Sequence, residues 1–130
     1  MNAKKRILIM EDNHDLAVEW QQTFELNNCD VVLTSNGSEA ADYLKAEQFD
    51  LVITDLFVKG GKGGLYVLSQ LVKLGAKAPP AITITGMHAH MNYEKDNLFL
   101  AQAKQLGSSV QISKPIPALE LIMIAHSLWQ

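Results

Sequence analysis

Five polar residues of this chain follow short apolar runs and have side chains suited to phosphoryl chemistry. They are Glu11, Asp12, Asp55, Thr85 and Lys114. If the three carboxylates met in space, they would repel one another and raise each other's pKa unless a cation lay among them. Mg2+ prefers oxygen ligands and keeps positions open for phosphate oxygens, so it is the ion we expect. A carboxylate nucleophile beside a metal, an ammonium group and a hydroxyl donor can accept a phosphoryl group.

The elements that must position these residues are five short apolar segments, which predict five buried strands. These segments are residues 7–10, 31–33, 51–53, 81–84 and 110–112. Helical spacing of apolar residues predicts helices over 14–27, 38–47 and 65–74, a fourth that ends at Gly107, and a fifth from about Pro117 onward. Alternating strands and helices predict an α/β fold, with an open, mostly parallel sheet covered on both faces. Ligands bind beyond the carboxyl ends of such strands, where the five polar residues should meet.

Composition limits the classes of protein to which the chain can belong. Its 130 residues, 48% of them hydrophobic, predict one domain over residues 1–130 with a core that needs no disulfides. A single cysteine, Cys29, and the lack of a signal peptide predict a cytoplasmic protein. The apolar runs are too short to cross a membrane. A net charge of -3 argues against direct nucleic-acid binding.

Four sequence segments resemble the signature segments of bacterial response-regulator receiver domains. In chain order they read ILIMEDN, DLVITDL, ITITG and ISKPI. The resemblance spans nearly the whole chain and implies a flavodoxin-like, doubly wound sheet of five parallel strands in the order 2-1-3-4-5. It also implies a phosphoryl-accepting signalling domain of a two-component system, not a metabolic enzyme. The implied phosphoryl donor is a histidine kinase or a histidine phosphotransfer protein.

The resemblance assigns a role to each polar residue. Asp55 would be the phosphoryl acceptor, Thr85 the phosphoryl-sensing hydroxyl and Lys114 the counter-ion of the phosphoryl group. The implied Mg2+ ligands are Glu11, Asp12, Asp55 and the backbone carbonyl of Phe57. The peptide bond from Lys114 to Pro115 is cis in relatives, which X-Pro bonds permit.

The chain departs from the family pattern at Lys59, which stands where receivers usually carry a proline, and in two further places. Gln111 stands where many receivers have the tyrosine or phenylalanine whose rotamer reports phosphorylation, so the aromatic switch is missing. The segment 86–106, between Thr85 and Gly107, is longer than the corresponding segment of typical receivers.

In receivers, a water molecule hydrolyses the acyl phosphate, and two residues flank its approach. Phe57 and Met87 occupy these positions here, and neither can orient water by hydrogen bonding. We therefore expect only weak self-dephosphorylation.

The fifth predicted helix carries two apolar stripes. The first, expected to pack on the sheet, comprises Leu119, Ile122, Ala125 or His126, and Trp129. The second comprises Leu121, Ile124 and Leu128, which we expect to be exposed and to mediate homodimerisation or effector docking, as the corresponding face does in relatives. The alternative is that the second stripe packs under the segment that precedes Gly107.

Two other functions are compatible with an α/β fold of this kind. One is an interaction domain of the same fold that works without phosphorylation. The other is a small flavin- or nucleotide-binding protein. Against the latter, the glycine-rich loop 59–64 has no Gly-Lys-Ser/Thr sequence, and the first strand-helix loop carries acidic residues where a cofactor phosphate would bind.

Overall fold

Five parallel strands form one sheet in the computed structural model, which describes residues 4–56, 63–86 and 101–129. The strands are β1 (Lys5–Met10), β2 (Cys29–Thr34), β3 (Leu51–Asp55), β4 (Ala81–Thr85) and β5 (Val110–Ser113). Their order in the sheet is β2-β1-β3-β4-β5, and each neighbouring pair is parallel. This confirms the predicted fold class and strand order, and each predicted strand segment lies within an observed strand.

Helices connect the strands. They are α1 (His14–Leu26), α2 (Gly37–Ala46), α3 (Gly64–Leu74), the helical residues 101–105, numbered α4, and α5 (Ala118–Trp129). The side chain of Asn36 accepts a hydrogen bond from the backbone N–H of Glu39 at 2.9 Å, which caps α2 at its predicted start. None of the helices in the described residues has the length and apolar character that a membrane span requires.

The predicted end of the fourth helix is also observed. The backbone N–H of Gly107 donates to the carbonyl of Lys104 at 3.1 Å, and Gly107 has a φ of 95°, which a glycine adopts without strain. Residues 87–100, which include Met87 and most of the segment 86–106 predicted to be extended, lie outside the described residues.

The hydrophobic core lies on both sides of the sheet. Along β1, Ile7 and Ile9 join the cluster beneath α1 and α5, whereas Leu8 and Met10 join the cluster beneath α2 and α3. All four side chains are fully buried. Residues 7–10 of β1 are buried on both faces of the sheet and have no solvent-facing positions, which explains why all four are apolar.

The prediction of an exposed stripe on α5 is wrong. Leu121 has no exposed surface, and Ile124 and Leu128 pack partly buried against the same cluster. The physical reason is that α5 packs on the sheet and also alongside α1, so that a wider arc of the helix is covered than one sheet contact would cover. On α5, the exposed large apolar side chains are instead Leu119, 67% exposed, and Met123, 70% exposed. Leu119 was expected to pack on the sheet, and that expectation is wrong as well.

Candidate functional site

The carboxyl ends of the strands bring four charged side chains to one edge of the sheet. Glu11 and Asp12 directly follow β1, Asp55 is the last residue of β3, and Lys114 directly follows β5. Because all five strands of the sheet are parallel, their carboxyl ends lie at the same edge, as predicted. The backbone N–H of Glu11 also donates to the carbonyl of Thr34 at 3.0 Å, which ties the residue to the end of β2.

The three carboxylates form one compact group. Glu11, Asp12 and Asp55 each offer a carboxylate oxygen, and these oxygens all lie within 4.8 Å of one another. Glu11 is 2% exposed and Asp55 3% exposed, whereas Asp12 faces solvent. Buried carboxylates this close require positive charge nearby. Phe57, whose carbonyl was expected to complete the metal site, lies outside the described residues.

Lys114 supplies positive charge to both buried carboxylates. Its ammonium group donates to Glu11 Oε1 at 2.8 Å and to Asp55 Oδ2 at 3.2 Å. The backbone N–H of Lys114 donates to the carbonyl of Thr85 at 2.6 Å, which holds this residue beside the end of β4. The peptide bond between Lys114 and Pro115 is cis, as the family resemblance implied. Lys114 is therefore a counter-ion shared by the two carboxylates.

The pKa values of Glu11 and Lys114 follow from burial and from the contact between their side chains. Burial raises the pKa of Glu11 to about 7, a change that the hydrogen bond from Lys114 opposes and the charge of Asp55 reinforces. Burial lowers the pKa of Lys114, but the hydrogen bond to Glu11 and the negative charges of Asp55 and Glu11 outweigh burial and raise it overall. Lys114 therefore stays protonated at neutral pH, while Glu11 titrates close to neutrality.

The surroundings of one carboxylate oxygen of Glu11 indicate whether a metal ion fits this site. Glu11 Oε2 is buried and accepts no hydrogen bond from any residue that the structure describes. A buried carboxylate oxygen without a partner is energetically unfavourable, and most such atoms are satisfied by a donor or an ion. The all-oxygen ligand set of Glu11, Asp12 and Asp55 fits Mg2+.

The raised pKa of Glu11 predicts that metal affinity depends on pH. With a pKa of about 7, the carboxyl group is mostly protonated at pH 6 and mostly ionised at pH 8, and only the ionised form binds a metal. We expect the affinity for Mg2+ to fall about tenfold as the pH is lowered through this range. Calorimetric titration with MgCl2 at several pH values measures it. The same affinity at pH 6 and pH 8 would contradict the role given to Glu11.

Thr85 lies at the same edge of the sheet, but its hydroxyl group is hydrogen-bonded to β5. It is the last residue of β4 and is buried, and its hydroxyl donates to the carbonyl of Ile112 at 3.5 Å. Its backbone carbonyl accepts the hydrogen bond from Lys114 described above. The hydroxyl predicted to sense a phosphoryl group is thus tied to the neighbouring strand in this arrangement.

A cavity of about 260 Å³ opens beside the carboxylates. Its lining includes Glu11 and Asp12 from the end of β1, His14 from α1, and Glu39 from α2. The acidic group can therefore be approached from solvent on the side of α1 and α2.

Sequence reasoning did not single out Gly64, which the structure places directly against the backbone of Asp55. In the sequence it is one of four glycines in the loop 59–64 and is hidden among them. The available signal was its position directly before the predicted helix 65–74, which follows the strand that carries Asp55.

Comparison with known proteins extends these observations. The family model described as "Response regulator receiver domain" matches residues 7–126. The transcriptional regulatory protein CrdR of Helicobacter pylori is 28% identical over 118 residues, covering 91% of this chain and 52% of its own. The C4-dicarboxylate transport transcriptional regulatory protein DctD of Rhizobium meliloti is 29% identical over 126 residues, which cover 97% of this chain and 25% of the relative. The chain thus spans about half of the first relative and a quarter of the second.

A solved structure supports the fold assignment separately. The response regulator (signal receiver domain) from Bermanella marisrubri superposes with a TM-score of 0.81, covering 98% of this chain and 99% of its own, at 23% identity. At this identity the similarity shows the fold alone, and it agrees with the five-stranded order described above.

Proposed function

Because the chain belongs to the response-regulator receiver domain family of two-component signalling, we propose that it accepts a phosphoryl group on Asp55 with the help of bound Mg2+. The observation that carries the proposal is the contact of one ammonium group, that of Lys114, with both Asp55 and Glu11. Such an arrangement provides a nucleophile, a counter-ion and metal ligands in one place. The family is a signalling domain, not a classical enzyme, so the reaction changes the protein itself.

In the proposed reaction a carboxylate oxygen of Asp55 attacks the phosphorus atom of a phosphohistidine. A bond forms between this oxygen and phosphorus as the bond between phosphorus and the imidazole nitrogen breaks. The nitrogen leaves with the electron pair and takes up a proton. When bound, Mg2+ neutralises the carboxylates and binds phosphoryl oxygens. Lys114 holds its ammonium group beside the acceptor and balances the charge of the transferred group.

The partners and setting proposed for the domain follow from this chemistry. A histidine kinase or a histidine phosphotransfer protein supplies the phosphoryl group, and residues 1–130 act as one receiver domain in the cytoplasm. We also propose weak self-dephosphorylation, because Phe57 and Met87 are apolar. Both residues lie outside the described part of the chain.

A mixture of Mg2+ and beryllium fluoride, which mimics an acyl phosphate, tests the proposed function. We expect bound-fluoride signals in the 19F NMR spectrum of the wild-type protein that vanish when Mg2+ is removed with a chelator. The exposed aspartate of α2 provides a matched control, since Asp42→Asn should bind the mimic as the wild type does. If the wild-type protein shows no bound fluoride, the domain works without phosphorylation and the proposal is wrong.

A further inference from the structure

The amino end of α3 packs directly on the peptide that carries the phosphoryl acceptor. A Cβ atom added at Gly64 would lie 2.6 Å from the carbonyl oxygen of Asp55 and 2.8 Å from the Cα atom of Leu56. Carbon atoms in favourable contact lie about 3.5–4.0 Å from their neighbours. Both obstructing atoms belong to the backbone and cannot rotate away, so a side chain at Gly64 would displace the peptide itself.

The backbone of Leu56, the residue after Asp55, is held from two sides. The N–H of Leu56 donates to the carbonyl of Ile84 on β4 at 2.8 Å, and the carbonyl of Leu56 accepts a hydrogen bond from the N–H of Gly64 at 3.2 Å. One contact therefore fixes the end of β3 to the sheet, and the other fixes it to α3. Gly75 and Gly107 differ from Gly64, since a Cβ at either of them would meet nothing within 4 Å.

We propose that Gly64 is a positioning residue: its lack of a side chain lets α3 set the position of the Asp55 carboxylate for metal binding and phosphoryl acceptance. The inference rests on the proposed function of Asp55. The Asp55 carboxylate contacts Lys114 at 3.2 Å and lies within 4.8 Å of the carboxylates of Glu11 and Asp12. Mg2+ tolerates little departure from octahedral geometry, so a small shift of one ligand weakens its binding.

The test compares Gly64→Ala with Val67→Ala. Val67 is a fully buried residue of the same helix, and its truncation leaves a cavity without pushing on Asp55. Mn2+ serves as the probe, with free Mn2+ counted by electron paramagnetic resonance, and urea unfolding reports the stability of each variant. We expect Gly64→Ala to weaken Mn2+ binding about tenfold or more. Phosphorylation by acetyl phosphate should slow in parallel. Val67→Ala should lower stability but bind Mn2+ as the wild type does.

Each result decides between roles. Wild-type Mn2+ affinity in Gly64→Ala overturns the proposal, as does an equal loss of affinity in both variants, because the effect would then follow stability. If Gly64→Ala does not fold at 25 °C, the titration is repeated at 10 °C with trimethylamine oxide, which favours the compact state. A chain that stays unfolded there makes Gly64 a requirement of the fold and overturns the proposal. A wild-type protein that binds no Mn2+ and takes up no phosphoryl group overturns the proposed function itself.

Discussion

Lys114→Met is expected to slow phosphorylation by a small phosphodonor about 100-fold, the usual effect of removing one preorganised charged donor from a transfer site. Lys114 donates to Asp55 Oδ2 at 3.2 Å, and its raised pKa keeps it charged at neutral pH. Methionine replaces the apolar stem of the lysine at nearly the same length but removes the charged donor. The acceptor would therefore lose its counter-ion as charge gathers on the transferring oxygens.

The same substitution should not weaken metal binding once Glu11 is ionised, which requires a higher pH than in the wild-type protein because the hydrogen bond from Lys114 no longer lowers the Glu11 pKa. The Lys114 ammonium group contacts Glu11 and Asp55 and therefore competes with a divalent cation for the two carboxylates. Removing it should leave the affinity for Mg2+ unchanged or higher. A loss of reactivity with metal binding retained distinguishes a counter-ion from a residue that only maintains the site.

Timed intact-mass measurements with acetyl phosphate provide the rate, and calorimetry provides the Mg2+ affinity. Lys73→Met is the control, since Lys73 is exposed in the last turn of α3, at the opposite end of that helix from Gly64. It should react as the wild type does. A Lys114→Met rate within about threefold of the wild-type rate would contradict the role of Lys114, because a lost charged donor costs far more than that.

The parts of this site that the sequence could predict are those fixed by strand ends. Apolar runs mark the strands, and parallel strands in a βαβ fold end at one edge, so Glu11, Asp55 and Lys114 could be placed together before any contact was known. The shared hydrogen bonds of Lys114 could not be predicted in this way. They depend on the turn after β5, which a contact between Lys114 and Thr85 holds in place.

The packing of α5 was not predictable from its own periodicity. Two apolar stripes on one helix indicate that a large part of its surface is buried. They do not indicate which neighbouring elements cover each stripe. Leu121 is buried because α5 also packs alongside α1, a contact between residues far apart in the chain. Leu119 is apolar and yet exposed, which single-helix patterns do not reveal.

The role of Gly64 was hidden for a different reason. A glycine can be required for a positive φ or for a close approach, and sequence alone does not separate these from a mobile loop. In this fold the close approach is to the backbone of Asp55 and Leu56, which lie nine and eight residues earlier in the chain. Only the distances between the two segments identify it.

Asp55→Asn is expected to abolish phosphorylation while the protein stays folded. The amide has nearly the shape of the carboxylate, but its oxygen is a poor nucleophile and it carries no charge to hold a metal. The substitution also removes one of two adjacent buried negative charges and leaves the hydrogen bond between Lys114 and Glu11 available. We therefore expect urea unfolding of the metal-free variant to occur at no lower concentration than in the wild-type protein.

Intact-mass analysis after incubation with Mg2+ and acetyl phosphate tests directly whether Asp55 is the acceptor. The wild-type protein should gain the mass of one phosphoryl group. Asp42→Asn, which alters an exposed aspartate of α2, should gain the same mass. Asp55→Asn should gain none. Equal phosphorylation of Asp55→Asn and the wild type would show that the acceptor lies elsewhere and would contradict the proposed function.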